Sequence, residues 1–293
     1  MAHLPRLTED GDISFVDEEG RTHLNDTILS YRTVSGGVQE VTPRFSLPVV
    51  DTWLEISSGR RQGTSCINKF GAATVAGASR EAIWDGANLT GITDYTYMAA
   101  ASTLYISSDA AGDGQVYEVQ GLDGNYAKKT VNVTASGLTF VALTGTWIRV
   151  FRVKNMGATD NAGNIYISDD NTDTGGGADG IPDTLTNVKA MIQIGHNQTL
   201  MSIYTVPAGT TAYMTRWTAT TAKGDDVELT LWARSFGGVF RIQDHHHVYQ
   251  QQMTKEYHPY VKYEEKTDIE MKGLIGAATG DIGAGFDLIL EEN

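Results

Sequence analysis

Residues 199–242, TLMSIYTVPAGTTAYMTRWTATTAKGDDVELTLWARSFGGVFRI, decide the fold of this chain. The run 200–206 is apolar and hydroxyl-bearing, and Pro-Ala-Gly at 207–209 ends it, because proline presets φ at the second position of a turn and glycine tolerates the fourth. Residues 211–220 are rich in Thr, Tyr and Trp, which suit a pleated surface. The stretch therefore predicts β-strands joined by compact turns.

The run 227–234 alternates in character from one residue to the next. One predicted face carries Val227, Leu229, Leu231 and Ala233, and the other carries Glu228, Thr230, Trp232 and Arg234. This period of two predicts one buried and one wet face. Gly237 and Gly238 then supply the positive φ values of a hairpin loop before 239–242. We expect four consecutive antiparallel strands, with Trp232, Arg234 and the downstream Tyr249 as candidate subunit contacts.

The composition is typical of an all-β protein. Among 293 residues, 41% are hydrophobic, 20% are charged, 32 are Gly and only 6 are Pro, which indicates a globular chain with many tight turns. Short strand-like runs recur between Gly/Asp turns about every 8 to 12 residues, without helical crossovers. We predict two antiparallel β-sandwich units, jelly-roll-like, with an extended N-terminal arm.

The predicted boundaries are an arm at 1–60, a first sandwich at 61–185 and a C-terminal sandwich at 186–293. The first segment holds short β-prone runs, including 53–56, and either completes its burial on a neighbouring molecule or packs on its own domain. Phe45 and Trp53 are its candidate interface residues. The Gly/Ala-rich segment 61–100 is a loop-rich strand pair or a subunit contact. Residues 169–187, with three consecutive glycines, are the predicted linker.

The net charge of −14 argues against nucleic-acid or anionic-membrane partners, because a sequence-independent grip on phosphates needs Lys and Arg. The sequence shows neither a signal-peptide h-region nor an apolar run long enough to span a bilayer.

A single cysteine, Cys66, excludes an intrachain disulfide framework and favours assembly in a reducing cytoplasm. It is interpreted as a small buried hydrophobe.

Two segments contain metal-ligand residue types. His245 and His247 share one face of a strand, so they can ligate a transition metal if a third ligand comes from elsewhere. Asp169, Asn171 and Asp173 place oxygen ligands at alternate positions, as a calcium loop begins, but Thr174 stands where the sharp turn wants Gly. Polar rim histidines and a solvated linker are the simpler interpretations, and no cofactor is expected.

The sequence shows no catalytic pattern. It offers no nucleophile beside a base and no glycine-rich phosphate loop, and its many carboxylates lie in turns, where Asp caps the backbone. We therefore predict that the protein is not an enzyme. Aromatic side chains able to stack on sugars are Trp84, Tyr95, Tyr97, Trp217, Trp232, Tyr249, Tyr257, Tyr260 and Tyr263, although such residues more often fill sheet faces and interfaces.

Several ordered motifs carry a resemblance. They are QVYEVQGLDGNYAKKTVNVTASG at 115–137, TWIRVFRVKNMG, QTLMSIYTVPAGTTAYMTRWTA, VELTLWARSFGGVFRIQ, KYEEKTDIEMKG and AGFDLILEEN. Together, over about residues 100–293, the chain resembles a group of virion structural proteins of tailed bacteriophages. This resemblance implies an assembly role, and it implies no catalytic residues.

The resemblance implies a virion protein that is assembled in the host cytoplasm. The role expected is that of a capsid decoration, or cement, protein, a homotrimer that contacts the major capsid protein or other virion proteins, with the arm as anchor. The alternative is a head or tail fibre or adaptor component that binds glycan.

Overall fold

The computed structural model describes the backbone of 6–7, 13–16, 22–23, 30–32 and 38–40, and residues 52–75, 79–89, 92, 94–174, 178–221, 226–249, 252–276 and 279–293 in full. The chain divides into two compact units, Met1–Ser58 and Gly59–Asn293. Within the part of the chain described, no helix has the length and apolarity that crossing a membrane requires.

The first unit contains short strands and one short helix. Strands β1 (Arg6–Leu7), β2 (Ile13–Val16) and β3 (Thr22–His23) form one antiparallel sheet, and β4 (Ser30–Arg32) pairs with β5 (Val38–Glu40). Helix α1 spans Thr52–Ser57, where we predicted a strand at 53–56. A local i to i−4 hydrogen bond, from the Ser58 N–H to the Leu54 carbonyl at 2.9 Å, closes this helical turn. Phe45 lies outside the described residues.

The second unit is built from antiparallel strands and confirms the all-β class. In chain order these are β6 (Thr64–Val75), β7 (Glu81–Ala82), β8 (Ser102–Ser108), β9 (Val116–Leu122), β10 (Lys128–Thr134), β11 (Val141–Trp147), β12 (Arg149–Asn155), β13 (Ile165–Ser168), β14 (Val188–Ile192), β15 (Ile203–Thr205), β16 (Thr210–Thr221), β17 (Asp226–Arg234), β18 (Arg241–Tyr249), β19 (Gln252–Tyr263), β20 (Asp268–Ile275) and β21 (Gly280–Glu292). Two 3-10 turns, Asp85–Asn88 and Leu185–Asn187, lie between them.

Eight of these strands form a jelly roll. One sheet has the order β6-β21-β16-β19 and the other the order β15-β20-β17-β18, with β7 added beside β20. If β6 is counted as the first strand and β15–β21 as the second to the eighth, the two orders are 1-8-3-6 and 2-7-4-5. This is the strand order of a double-sheet jelly roll.

The remaining strands form a second sandwich inside the connection between the first two jelly-roll strands. One of its sheets has the order β10-β9-β12 and the other β11-β8-β13-β14. We call it the inserted sandwich. The chain thus begins the jelly roll with β6, builds the inserted sandwich, and returns to the jelly roll at β15.

The chain leaves and re-enters the jelly roll at one place. The Ser202 N–H donates to the Ile83 carbonyl at 3.0 Å, and the Met201 N–H donates to the Phe70 carbonyl at 2.8 Å. Gly71 makes this approach possible, because a Cβ there would lie 2.4 Å from the Ile83 carbonyl oxygen and 2.5 Å from the Ser202 nitrogen. Only glycine allows such backbone proximity.

The strand pairing differs from the predicted boundaries in two places. Strand β6, predicted within the first sandwich, pairs with β21 along its whole length. Residues 169–187, predicted as a linker, connect β13 to β14, which are neighbours in one sheet of the inserted sandwich. A glycine-rich loop within a sheet has the same composition as a linker between domains, so the sequence pattern could not separate the two cases.

Residues 199–242 contain the predicted strands in a different arrangement. Strands β17 and β18 form the predicted antiparallel pair, but β15 pairs with β20 and β16 pairs with β19 and β21. Strand β16 therefore lies in one sheet and β15, β17 and β18 lie in the other, because the connections on either side of β16 cross the sandwich. The face of β17 predicted to be wet is partly covered: Thr230 is fully buried, and Trp232 and Arg234 are half-buried.

Candidate functional site

A pocket of about 310 Å³ opens where the inserted sandwich meets the jelly roll. Its lining combines cationic side chains with aromatic rings, together with one carboxylate. The lining residues that carry its chemistry are Tyr97, Tyr126, Arg149, Arg234, Phe236, Lys266 and Asp268. We call this the junction pocket.

One buried carboxylate organises the junction pocket. Asp268, at the start of β20, accepts hydrogen bonds from Arg149 Nε at 2.9 Å and from Arg234 Nη2 at 2.6 Å. Arg149 comes from the inserted sandwich and Arg234 from the end of β17, so the carboxylate joins the two bodies. The side chains of Arg149 and Asp268 are only 7% and 4% exposed. An ion pair this deep keeps its strength only with good geometry.

The positive charge of Arg149 is maintained by the groups to which it donates hydrogen bonds. Burial would lower the pKa of Arg149, but the hydrogen bond and charge of Asp268 outweigh it and raise that pKa above its ordinary value. Arg149 Nη1 also donates to the carbonyls of Met98 at 2.9 Å and Ile148 at 2.7 Å. The guanidinium therefore stays charged in a buried place.

Aromatic rings pack against the cationic side chains of the junction pocket. The guanidinium of Arg234 lies 4.7 Å from the Tyr97 ring centroid, and that of Arg149 lies 4.9 Å from the same ring. Lys266 Nζ lies 5.2 Å from the ring of Phe236, which itself packs edge-on against Tyr126 at 5.6 Å. Cation–π contacts of this kind hold the charges in place without neutralising them.

The pocket has an excess of positive charge. Arg149, Arg234 and Lys266 face one carboxylate, that of Asp268, although the protein as a whole carries a net charge of −14. An anionic group is attracted to such a place. The Nε and Nη2 groups of both arginines already donate to Asp268, so a ligand would meet Lys266 and the Nη1 group of Arg234. Phe236 is 64% exposed, so a flat apolar ring stands at the pocket rim.

A second buried carboxylate lies close to the junction pocket on β20. Glu270 is 1% exposed, and its side chain accepts a hydrogen bond from the Tyr97 hydroxyl at 3.0 Å. Lys272 Nζ lies 3.1 Å from its other oxygen. Burial raises the pKa of Glu270 to about 7, and Asp94 adds to this rise, while Lys272 opposes it.

The predicted histidines lie on the outer face of the same jelly-roll sheet. His245 and His247 are exposed on β18, and the structure brings Glu228 of β17 next to them. His246 points the other way and packs against Trp217 at 5.3 Å. The three histidine side chains therefore point to alternate faces of β18, as predicted. Glu228 as a neighbour was missed, because it follows only from the register of two strands.

Two of the candidate calcium ligands contact other groups of the protein, one on strand β14 and one within the loop itself. Asp169 Oδ1 lies 3.5 Å from Lys189 Nζ, and Asp173 accepts the Gly180 N–H at 2.8 Å. Asn171 is exposed. A calcium ion at these residues is the less favoured interpretation of the sequence, and it stays a hypothesis.

The predicted interface and aromatic residues divide between surface and core. Tyr249 is 60% exposed and Trp53 is 47% exposed, whereas Trp232 is half-buried and donates from Nε1 to the Thr230 hydroxyl at 2.8 Å. Four of the proposed sugar-stacking residues are core residues: Trp84, Tyr95, Trp217 and Tyr263. Cys66 is exposed, contrary to the prediction, because alternate residues of the edge strand β6 face solvent.

No protein-family model matches the chain, and no curated protein matches it. Solved structures to which it is similar include those of infectious bursal disease virus. For the Gx strain the identity is 9%, with 78% of this chain and 71% of the other covered and a TM-score of 0.20. For the Gt strain the identity is 10%, with 79% of this chain and 73% of the other covered and a TM-score of 0.17. For the VP2 subviral particle of this virus the identity is 9%, with 79% of this chain and 81% of the other covered and a TM-score of 0.12.

These neighbours are structures of a virus, and the likeness is weak. TM-scores of 0.20 and below do not establish a shared fold. The assignment of a jelly roll therefore depends on the strand order alone.

The buried network predicts a large and local stability effect. In Asp268→Ala, Arg149 and Arg234 lose their shared carboxylate, so we expect the free energy of unfolding to fall by about 3 to 5 kcal/mol. Denaturant unfolding measures this loss. Asp287→Ala is the matched control, because it removes an ion pair to Arg216, whose side chain is 50% exposed, and should cost about 1 kcal/mol or less. Equal losses in both variants would contradict the role given to Asp268.

The raised pKa of Glu270 predicts that stability falls with rising pH. Its pKa in the folded state, about 7, lies above the ordinary 4.5, so folding favours the protonated form. The resulting stabilisation is complete below about pH 4.5 and is lost as the pH rises through 7, by at most about 3 kcal/mol. Asp85, whose pKa burial raises to about 6, acts in the same direction.

Glu270→Gln should flatten this dependence, because the amide oxygen can still accept the Tyr97 hydroxyl proton but cannot ionise. The measurement is the free energy of unfolding at pH 5 and pH 8. Glu256→Gln is the control, since the Glu256 side chain is 65% exposed on β19. If the wild type and Glu270→Gln lose equal stability between pH 5 and pH 8, the raised pKa of buried Glu270 is not the cause of the pH dependence.

Proposed function

We propose that the protein is a non-enzymatic structural component of a tailed-phage virion, and specifically a capsid decoration protein. Its ordered motifs resemble those of such proteins, and double-sheet jelly rolls occur among viral capsid domains. The observation that carries the proposal is an exposed apolar edge of the jelly roll, which suits assembly with other copies or other virion proteins.

Two neighbouring strands, one in each sheet, form this end of the jelly roll. Among the described residues, β18 pairs with β17 alone and β19 pairs with β16 alone, so each strand has one unpaired side. An unpaired strand edge is a template for pairing with another chain, and natural proteins protect such edges with Pro and Lys.

The two edges differ in that protection. Strand β19 contains Pro259, which lacks an N–H, and carries Lys255 and Lys262. Strand β18 exposes more apolar surface: Ile242 is 46% exposed and Tyr249 is 60% exposed, whereas β19 exposes Tyr260 at 40%. Val239, in the turn that leads into β18, is 67% exposed. We call Val239, Ile242 and Tyr249 the β18 edge and propose it as a subunit contact.

A decoration protein acts by adding buried interface over many symmetry copies, so small contributions per contact sum to resistance against internal pressure. In this proposal a homotrimer forms through the β18 edge, and the arm at 1–60 ties it to the major capsid protein. The net charge of −14 keeps the outer surface solvated and disfavours nucleic acid and membrane as partners. The protein would reside in the virion after assembly in the host cytoplasm.

Two variants test this proposal by separating assembly from attachment. Ile242→Ser with Tyr249→Ser should lower the oligomeric mass measured by light scattering, because it removes apolar contact area from the β18 edge. Deletion of residues 1–50 should leave a folded trunk that no longer co-sediments with particles lacking the protein.

Lys255→Ala, on the protected strand β19, is the control for the edge variant. An edge variant with the oligomeric mass of the wild type would contradict the assigned contact, and undiminished particle binding after the deletion would contradict the arm as anchor.

A second candidate function, a fibre or adaptor component that binds glycan, is favoured by the junction pocket. Lys266 and the exposed Phe236 ring suit a sugar that carries a carboxylate, because sugar faces stack on aromatic rings while the ammonium group attracts the carboxylate. On a glycan array, this function predicts binding to acidic sugars that Phe236→Ala abolishes. Phe70→Ala, which alters a ring 37% exposed on β6, should leave binding unchanged. Absence of acidic-glycan binding by the wild type would rule this candidate out.

A further inference from the structure

Three metal-ligating side chains meet on the outer face of strands β17 and β18. Glu228 of β17 is directly opposite His247 of β18, and Thr230 is opposite His245. Side chains of directly opposed residues on one face are neighbours, and diagonal partners are within reach of long side chains. The register thus brings one carboxylate and two imidazoles together.

The ligand atoms already lie close enough to share one ion. One atom from each of Glu228, His245 and His247 lies within 4.8 Å of the others. His245 Nε2 is 3.3 Å from Glu228 Oε1, and the two imidazole rings are edge-on with centroids 5.0 Å apart. Ligands bound at about 2.0 to 2.2 Å from zinc are mutually separated by distances of this order.

We propose that Glu228, His245 and His247 form a binding site for a divalent transition-metal ion of the zinc type. Two imidazoles and one carboxylate are a known zinc ligand set, which leaves a fourth position for water. Hard cations such as calcium are disfavoured, because they take six to eight oxygen ligands. The argument for this site does not use the virion role. The site nevertheless lies on the same face of β18 as Ile242 and Tyr249, so it would stand at the proposed subunit contact.

Neighbouring charges fit a second shell around this site. Asp226 Oδ1 lies 3.3 Å from His247 Nδ1, so it can orient that ring and leave Nε2 for the metal. Metal-ligating histidines are commonly fixed by a carboxylate in this way. Arg80 forms an ion pair with Glu228 Oε1 through Nε at 2.6 Å and Nη2 at 2.5 Å, so this cation competes with a metal for that oxygen, and Oε2 is the atom left to bind the ion.

The other histidines of the described ranges have different surroundings. His258 lies 3.8 Å from Glu256, and His196 lies 3.6 Å from Asp85, each beside a single carboxylate. Within the residues that the structure describes, Glu228, His245 and His247 are the group of three ligand-type side chains. This difference makes the site specific enough to test.

Metal binding here would tie the outermost strand β18 to β17. The two histidines are on β18 and the carboxylate is on β17, so one ion crosslinks two strands whose pairing has a register shift between Leu231 and Trp232. Binding to the folded state alone stabilises it. The ion would therefore raise the thermal midpoint.

The test is titration of the full-length protein, free of any affinity tag, with Zn²⁺ in a calorimeter near neutral pH. We expect one ion per chain. Changes in a second-shell group cost about 10- to 100-fold in affinity, so His245→Ala, His247→Ala and Glu228→Gln should each weaken binding by about 100-fold or more, and Asp226→Asn by about 10-fold. Co²⁺ should give the visible absorption of a four-coordinate ion.

His258→Ala is the matched control, because it removes an exposed histidine from the adjacent strand β19 and should leave the affinity unchanged. Thermal unfolding without metal shows whether each variant is folded. The site is overturned if the wild type takes up no Zn²⁺ at millimolar concentration, or if Glu228→Gln or His247→Ala binds with wild-type affinity while folded.

Discussion

The carboxylate of Asp268 between two guanidinium groups is the interaction on which the relation of the two sandwiches depends. Arg149 reaches it from the inserted sandwich and Arg234 reaches it from the jelly roll, at 2.9 Å and 2.6 Å. Each guanidinium also faces the ring of Tyr97. Because two cations share one anion, the network joins two bodies and leaves positive charge at its surface. Structural rigidity and a potential anion site thus have the same origin.

The local structure could be predicted from the sequence, because it depends on nearby residues. The alternation in β17 and the Gly237-Gly238 turn give a strand pair that the structure contains, and His245 and His247 share a face as the period of two requires. The pairing of β6 with β21 could not be predicted, because it joins segments more than two hundred positions apart. Glu228 was missed for the same reason: its place beside the histidines depends on register.

The edge strands and the pockets of this protein lie on different parts of one surface. The β18 edge is apolar and unpaired, the junction pocket is cationic, and the rest of the chain is strongly acidic. An acidic surface repels other copies in general, so association is confined to places where apolar contact outweighs repulsion. Such a distribution of charge favours ordered assembly over unspecific aggregation.

The position of the inserted sandwich has a consequence for variation between related chains. Its entry and exit are joined by a backbone hydrogen bond of 3.0 Å between Ser202 and Ile83, beside Gly71. A segment whose two ends meet can be exchanged for a shorter or longer one without moving the strands that flank it. The jelly roll can therefore stay constant while this lobe diverges, and an engineer could replace the lobe with a displayed domain at the same pair of crossing points, provided that the replacement supplies a cation in place of Arg149 or that Asp268 is changed as well.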